Sequence, residues 1–500
     1  MMSKKGTDAK ALKVARALKN AENWKHLARW NGEGYYELRT EDTAEVPVRL
    51  FLTPTLLDQA EDILYRQIVN ATRFPGVRMV VITPDTHYGY GVPVGCVLIT
   101  DVETGAVAMG PGGYDIGCGM MSARSGVAAE EATDEKKLAF NRAVMERVEM
   151  GYGGKSHRLG RVTEEEFNNL VRGGAEYYVE KYGATFDRSR AERHRIPVDD
   201  DWQIPWGGKG RPERGMDQLG SLGGGNHFIE LQRAEETGTL FLQVHTGSRG
   251  FGHGLATNFF ELAREERPEA MTDIDLGYFT PESRHYRDYL NAVAAGGNFA
   301  ILNRLIIFEQ VSEAFREVFG EELELIYEIS HNLVQREWHP EFGEVWVHRK
   351  GATRAFPAGH PFLKGTFWEE TGHPVLIPGS NKDYSYILRP LPGAERSGYS
   401  VNHGAGRRLS RGEASRTLSQ RAMDDEYRAA GILVNTDGRV PLDEAAPAYK
   451  SSEEVVRAVT EAGLAEVQHK LWPLASLKGT EGGKGKRRKK GGKKSSSKHY

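Results

Sequence analysis

The 500-residue sequence predicts an irregular α+β fold in one large domain. Three observations carry this. Strand-like and helix-like stretches mix without regular alternation, which argues against a doubly wound sheet or a TIM barrel. No Pro/Gly/Ser-rich linker divides residues 40–478. The 58 glycines cluster in polar loops that follow short apolar runs, a pattern of strands ending in functional loops.

Taken in order, residues 7–29 place Leu12, Val14, Ala15, Leu18, Trp24 and Leu27 at helical spacing, so 1–45 reads as a helical extension. From Val46 the body begins. Met79–Thr83 and Val92–Thr100 read as strands around the loop PDTHYGYG. Glu130–Met150 and Glu164–Tyr182 read as helices, and 183–215 as a long surface loop. A helix covers roughly 283–319, with a break expected at Gly296-Gly297. Leu323–Ser330, Glu344–His348 and Val375–Ile377 read as strands, and Glu453–Lys470 as a last helix. The body closes near Gly479. Residues 480–500 have the composition of a disordered basic tail.

The net charge of −3 hides an asymmetry. Gly479–Tyr500 holds nine Lys or Arg against one Glu, a net +8, which leaves −11 on the rest. Two cysteines exclude a disulfide scaffold and suit a reducing compartment. Residues 1–20 lack the apolar core of a signal peptide, and no uninterrupted apolar run of membrane-spanning length is seen. The expectation is a cytoplasmic protein with no membrane partner.

The common nucleotide and metal motifs are missing. Gly154-Lys155-Ser156 looks like the end of a P-loop, but residue 149 is Glu; there is no CxxC and no HExxH. Five loops of one design stand out instead. Asp115 and Cys118 lie in GPGGYDIGCGM, Asn226 and His227 in GSLGGGNHFIE, and His245 opens HTGSRG. His331 and Asn332 follow LELIYEIS, and His403 sits in VNHGAGRRLSR. Carboxylate, thiolate and imidazole together suit a borderline divalent ion such as Zn²⁺ or Mn²⁺, and a thiolate can bridge two ions. Cys96, inside VGCVLI, reads as a core residue. A second theme is phosphate recognition: TGSRGFG, RKGATR and HGAGRRLSR combine glycine, hydroxyl and arginine, with Arg249, Arg354, Arg407 and Arg411 as phosphate or RNA contacts.

At these residues the sequence resembles the RtcB family of RNA ligases. The matching blocks are PDTHYGYGVPVG, GPGGYDIGCGM, GSLGGGNHFIELQ, VHTGSRGFGH, the HN of ISHNLVQ, VHRKGATRAFPAG, PVLIPGS, NHGAGRRLSR and EAGLAEVQHKLWPLASLKG, in the family's order from about Val46 to Gly479. The resemblance implies an α+β fold peculiar to the family, with a two-manganese centre and a guanylate pocket in a central cleft. It implies Asp115, Cys118 and His227 as ligands of one metal, and Cys118, His245 and His331 as ligands of the other. His403 matches the histidine that carries GMP. The implied GTP contacts are Asn226, His227, Phe228, Ile229 and Glu230; His331 and Asn332; Pro378, Gly379, Ser380 and Asn381; Ser385; His403, Gly404, Ala405 and Gly406; and Lys478. Glu230 would accept from guanine N1 and N2, and Lys478 would reach O6.

The implied reaction joins an RNA 2′,3′-cyclic phosphate or 3′-phosphate end to a 5′-hydroxyl end. It passes through a GMP–histidine intermediate and a GMP-activated 3′ end. The implied partners are such RNA ends and, as an open question, an archease-type activator. Two departures stand out. Asn402 replaces a residue that is commonly Cys, and NKDYSY follows PGS where the family is small and Gly-containing, which unsettles the register of Ser385. These changes motivate a competing reading in which GMP is left as a cap on a 3′-phosphate, or ends are processed without ligation. A non-catalytic nucleic-acid-binding protein using the basic tail is the reading from a different class.

Overall fold

The computed structural model describes residues 18–44, 46–184, 186–191, 195–268 and 274–479. Helices and strands form a single α+β domain dominated by two large sheets.

The first sheet has seven strands, in the spatial order Arg29–Trp30, Tyr36–Leu38, Val48–Leu50, Val77–His87, Val94–Asp101, Gly343–Lys350, Asn332–His339. Val77–His87 and Val94–Asp101 are buried almost throughout. That explains why both read as continuous apolar runs rather than alternating ones. Cys96 lies inside the second of them as the core residue expected, its thiol pushed up to about 12 by burial.

The second sheet runs Glu324–Ser330, Gly119–Ala128, Thr239–Thr246, Phe228–Ala234, Ala465–Leu477, Ser385–Pro390, Val375–Ile377 along its main path. Each neighbouring pair on this path is antiparallel. Strand starts and strand finishes therefore alternate along one end of the sheet. His331, Cys118, His245, His227, Lys478 and Pro378 each sit just beyond, or at, the strand terminus that falls at that end. The chain passes from the second sheet to the first at His331, because Ser330 ends one strand and Asn332 begins another. A two-stranded ribbon, Ala352–Arg354 with Ser400–Asn402, delivers His403 to the same place.

Beneath the second sheet runs the 34-residue helix Tyr286–Phe319. It is continuous, so the expected break at Gly296-Gly297 is not there. The glycines serve packing instead: a Cβ on Gly296 would come 3.0 Å from Ile116, and one on Gly117 would come 2.8 Å from Ala300. The Asp115–Cys118 loop thus rests directly on the helix. This helix is long and apolar enough to cross a membrane, with hydropathy 1.3 over its best window, but 94% of that window is buried within the fold.

Three other expectations need correction. Of the helix expected over 7–29, residues 7–17 lie outside the described residues; the rest holds only the short helix Trp24–Leu27, and Arg29–Trp30 and Tyr36–Leu38 are strands of the first sheet. The segment 183–215 is not merely surface, because Phe186, Val198, Trp202 and Ile204 are buried in the main core. The last helix stops at Glu461, and Ala465–Leu477 is a strand. Gly463, at φ +65°, provides the left-handed residue that lets the chain leave the helix. Pro473 is tolerated beside a register shift between Pro473 and Ala475. The tail 480–500 lies outside the described residues.

Candidate active site

The loops at the shared sheet end enclose a cleft with a cavity volume of about 340 Å³, within the usual range for small-molecule sites. All five metal-type residues expected from the sequence are in it.

Their atoms converge. Cys118 Sγ lies 3.4 Å from His227 Nε2 and 3.3 Å from His245 Nε2. His245 Nε2 lies 3.2 Å from His331 Nε2, and His227 Nε2 lies 3.3 Å from Asp115 Oδ2. Cys118, His227 and His245 form a donor group within 4.8 Å that could hold a metal ion. The tautomer of His245 is decided by its far nitrogen, which donates to the Asn226 carbonyl at 3.1 Å. Its Nε2 is then a bare lone pair facing a sulfur and another imidazole. Burial, with the neighbouring imidazoles, pushes His245 and His331 well below the ordinary histidine value, so both stay neutral. Burial raises Asp115, but the hydrogen bond and charge of His227 and the N–H of Ser248 at 2.9 Å outweigh it and bring the carboxyl to about 2. A carboxylate and neutral imidazoles aimed at one point fit a divalent cation. Burial and Asp115 hold the Cys118 thiol high when no cation is beside it, and metal binding would deprotonate it.

Two consecutive polar residues of the buried helix tie these loops together. Arg304, 0% exposed, donates to the carbonyls of Gly117 at 2.6 Å and Thr246 at 3.0 Å, to Ser330 Oγ at 2.9 Å, and to the Glu328 carboxylate at 2.5 Å. Asn303 Oδ1 accepts from Gly220 N at 2.7 Å, while its amide donates to the Gly247 carbonyl at 3.1 Å. The loops carrying Cys118, His245 and His331 therefore share one polar hub.

His403 stands on the opposite wall, its ring 4.9 Å from that of His331 between centroids. Its Nδ1 lies 2.6 Å from Asp85 Oδ2. A carboxylate only accepts, so Nδ1 carries a proton, and in the neutral ring the lone pair is on Nε2. Asp85 is completely buried and also accepts from His403 N at 3.0 Å, Gly404 N at 3.2 Å and Thr83 Oγ1 at 2.6 Å. Burial works against its ionisation, but His403 and these hydrogen bonds prevail and lower its pKa. Asp85 was not singled out from the sequence, although it lies in the PDTHYGYG block. Lys450 was also missed. Its ammonium donates to the Pro84 and Thr86 carbonyls on either side of Asp85, and burial lowers it to about 8.

Of the expected nucleotide contacts, Asn226, His227, Phe228, Glu230, His331, Asn332, Pro378, Gly379, Ser380, Asn381, His403, Gly404, Ala405, Gly406 and Lys478 line the cleft. Burial raises Glu230 to about 7, against the hydrogen bond from Gln232 and the charge of Lys478. The Lys478 ammonium lies 5.3 Å over the Phe228 ring and 3.7 Å from Glu444. Two expected contacts are elsewhere. Ile229 points into the main core, on the strand face opposite Phe228 and Glu230. Ser385 accepts from Gly379 N at 3.0 Å, so it braces the Pro378–Asn381 loop from behind. Asn402 is buried and donates to the Gly404 carbonyl at 2.7 Å, which stabilises the turn after His403.

The four arginines divide. Arg407 and Arg411 line the cleft, both paired to Glu444 at 3.2 Å. Arg249 lies behind it, nine-tenths buried, donating to the Gly151 carbonyl at 2.6 Å and to Ser221 at 3.2 Å; burial lowers it to about 10. Arg354 belongs to a separate pocket, over the Phe356 ring at 4.8 Å and 3.3 Å from the Tyr327 hydroxyl. The sequence could not show this, because a Gly–hydroxyl–Arg run does not say on which side of its strand the arginine emerges.

The family model described as "tRNA-splicing ligase RtcB" matches residues 67–479. The chain belongs to the RtcB family. This RtcB-family chain is 35% identical over 467 residues to the tRNA-splicing ligase RtcB of Pyrobaculum aerophilum, covering 87% of itself and 95% of that protein. It is 34% identical to that of Thermococcus kodakarensis over 464 residues, with the same shares of 87% and 95%. It is 36% identical over 443 residues to the RNA-splicing ligase RtcB of Mycobacterium tuberculosis, covering 83% of itself and all of that protein.

Proposed function

We propose that this protein is a cytoplasmic, GTP- and manganese-dependent RNA ligase. It joins 2′,3′-cyclic phosphate or 3′-phosphate RNA ends to 5′-hydroxyl ends. The single observation that carries the reading is His403. Asp85 holds its Nδ1, so in the neutral ring Nε2 is the nitrogen with the lone pair, and the ring lies in the cleft beside the metal-type cluster.

In this reading GTP is a substrate. Nε2 of His403 attacks the α-phosphorus, an N–P bond forms, and the bond to the β-phosphate oxygen breaks with release of pyrophosphate. Asp85 offsets the positive charge that develops on the imidazole. The guanine lies between Phe228, Glu230 and Lys478, with the Pro378–Asn381 loop beside it. An oxygen of the RNA 3′-phosphate then attacks the same phosphorus, and the N–P bond breaks. The 5′-hydroxyl attacks the activated RNA phosphate, a phosphodiester forms and GMP leaves. A cyclic phosphate end is first opened by water. Manganese held by Asp115, Cys118, His227, His245 and His331 would supply positive charge against the phosphates. Arg407 and Arg411 add cationic groups at the cleft wall.

The test is product analysis. RNA fragments carrying a 2′,3′-cyclic phosphate and a 5′-hydroxyl are incubated with GTP and Mn²⁺, with and without an archease-type activator. A joined strand with GMP release is expected. A 3′ end that keeps GMP and never joins would support the capping reading instead.

A further inference from the structure

One wall of the cleft ends in an aromatic ring that the fold holds out to solvent. Tyr90 lines the cleft and is 67% exposed, and its neighbour Tyr88 is 51% exposed. An exposed tyrosine on a loose loop would mean little, but this loop is fastened. Gly89 donates to Gln67 Oε1 at 3.0 Å, and Gln67 Nε2 donates back to the Gly89 carbonyl at 2.6 Å. Asn70 donates to the Gly91 carbonyl at 2.8 Å. The Lys350 ammonium donates to the carbonyls of Tyr90 at 2.6 Å and Val92 at 3.0 Å. Gln67 and Asn70 are three residues apart on the helix Leu64–Ala71, so one helical face grips both glycines. The backbone leaves no slack either. A Cβ on Gly89 would come 2.5 Å from the Val92 carbonyl, and Gly91, at φ +70°, lies against the Asp275 backbone.

Behind the ring is a second aromatic layer. Tyr114 meets Tyr90 edge-on at 6.3 Å and is itself stacked on Phe260 at 4.5 Å. His87, Val94 and Tyr114 line the same cleft as Phe228, Glu230 and Lys478, against which the guanine lies in the reading above. In that reading the guanine leaves the Tyr90 ring open to the other substrate. A rigid π-surface at the mouth of a site for RNA ends matches one chemistry, an unpaired nucleobase. Stacking is sequence-tolerant because every base has a π-face.

We propose that Tyr90 is a stacking platform for the terminal unpaired base of the RNA strand whose end enters the cleft. The inference rests on the RNA-ligase reading and adds a subsite to it. The test uses the full chain with Mn²⁺ and two single-stranded oligonucleotides bearing a 3′-phosphate, one intact and one abasic at its last nucleotide. Binding is followed by fluorescence anisotropy. Wild type should prefer the intact strand by about 5- to 150-fold, the range that base–aromatic stacking supports. Tyr90→Ala and Tyr90→Leu should lose that preference, and Tyr90→Trp should keep it, with thermal unfolding used to confirm that each variant is folded. Equal binding of the two strands by wild type, or an undiminished preference in Tyr90→Ala, overturns the proposal. If wild type shows no stacking preference yet still joins RNA ends, only this subsite falls. If it forms no GMP adduct and joins nothing, the parent reading falls.

Discussion

The two walls of the cleft are finished in different ways. On the wall built from the first sheet and the Ala352–Arg354 ribbon, the chain completes its own chemistry. Asp85 is buried, fully engaged and oriented before any substrate arrives. At the end of the second sheet, Cys118, His227, His245 and His331 turn toward one another across gaps of 3.2 to 3.4 Å. Lone pairs so close repel unless protons or a cation lie between them. The first wall is organised by hydrogen bonds, and the second holds a donor group that could take an ion. Changes in one should therefore spare the other.

The largest expected effect breaks the first wall alone. Asp85→Asn keeps the size of the side chain but loses the charge and the demand for an Nδ1 proton. GMP-adduct formation should fall by a factor on the order of 10³ to 10⁴, as when a catalytic histidine loses its orienting carboxylate. Manganese content, read by elemental analysis, should stay as in wild type. An Asp85→Asn protein that also lost its metal would show that the walls are coupled.

The next effect breaks the second wall. Cys118 lies within reach of two imidazoles and would bind as a thiolate, a strong ligand for a borderline ion, so Cys118→Ala should empty the metal site more thoroughly than His245→Ala. Arg304→Lys keeps a cation for Glu328 but cannot reach Gly117, Thr246 and Ser330 together. Manganese affinity should drop by roughly 10- to 100-fold, the usual consequence of losing a partner behind the ligands. Near-full manganese in Cys118→Ala, or an unchanged affinity in Arg304→Lys, would remove the ion from this account of the wall.

A smaller effect sharpens the nucleotide side. Glu230 has its pKa raised to about 7. Its carboxylate, which would accept from guanine, is therefore gained as pH rises through about 7. GTP binding measured by calorimetry should strengthen from pH 6 to pH 8 in wild type and be nearly flat in Glu230→Gln. The stability sign is opposite. The folded state holds this proton more tightly than the unfolded chain, so the contribution of Glu230 to stability is full below the ordinary glutamate value and declines as pH rises toward 7. Stability of wild type and Glu230→Gln should therefore diverge across that window.

The smallest effect concerns the tail. Its net +8 follows directly after Gly479, at the rim formed by Gly225, Arg411 and Lys478, on a body of −11. Truncation after Gly479 should weaken RNA binding and flatten its salt dependence by about 0.7 in log–log slope for each phosphate that the tail no longer neutralises. The same affinity and slope in both forms would assign the tail no part in RNA capture.

Much of this was legible in the sequence, and the misses have physical causes. Strands buried on both faces, such as Val77–His87, announce themselves as apolar runs. The five metal-type residues were found because each lies at or near a strand terminus, Cys118 and His227 just before one and His331 just after one, and the antiparallel order of the second sheet brings those termini to one end. Asp85 was missed because nothing local marks an aspartate whose partner lies 318 residues away. Arg304 was hidden in an apolar helix, where a buried guanidinium has meaning only once Gly117, Thr246 and Glu328 surround it. Arg249 and Arg354 share a motif with Arg407, yet their side chains leave their loops toward other surroundings.

The central claim is that His403, oriented by Asp85, is the nucleophile. It is tested most directly by incubating the protein with α-labelled GTP and Mn²⁺ and mapping the labelled residue. The account predicts one acid-labile GMP on His403, absent from His403→Ala and nearly absent from Asp85→Asn. Label on a lysine, or an adduct that survives in His403→Ala, would contradict it.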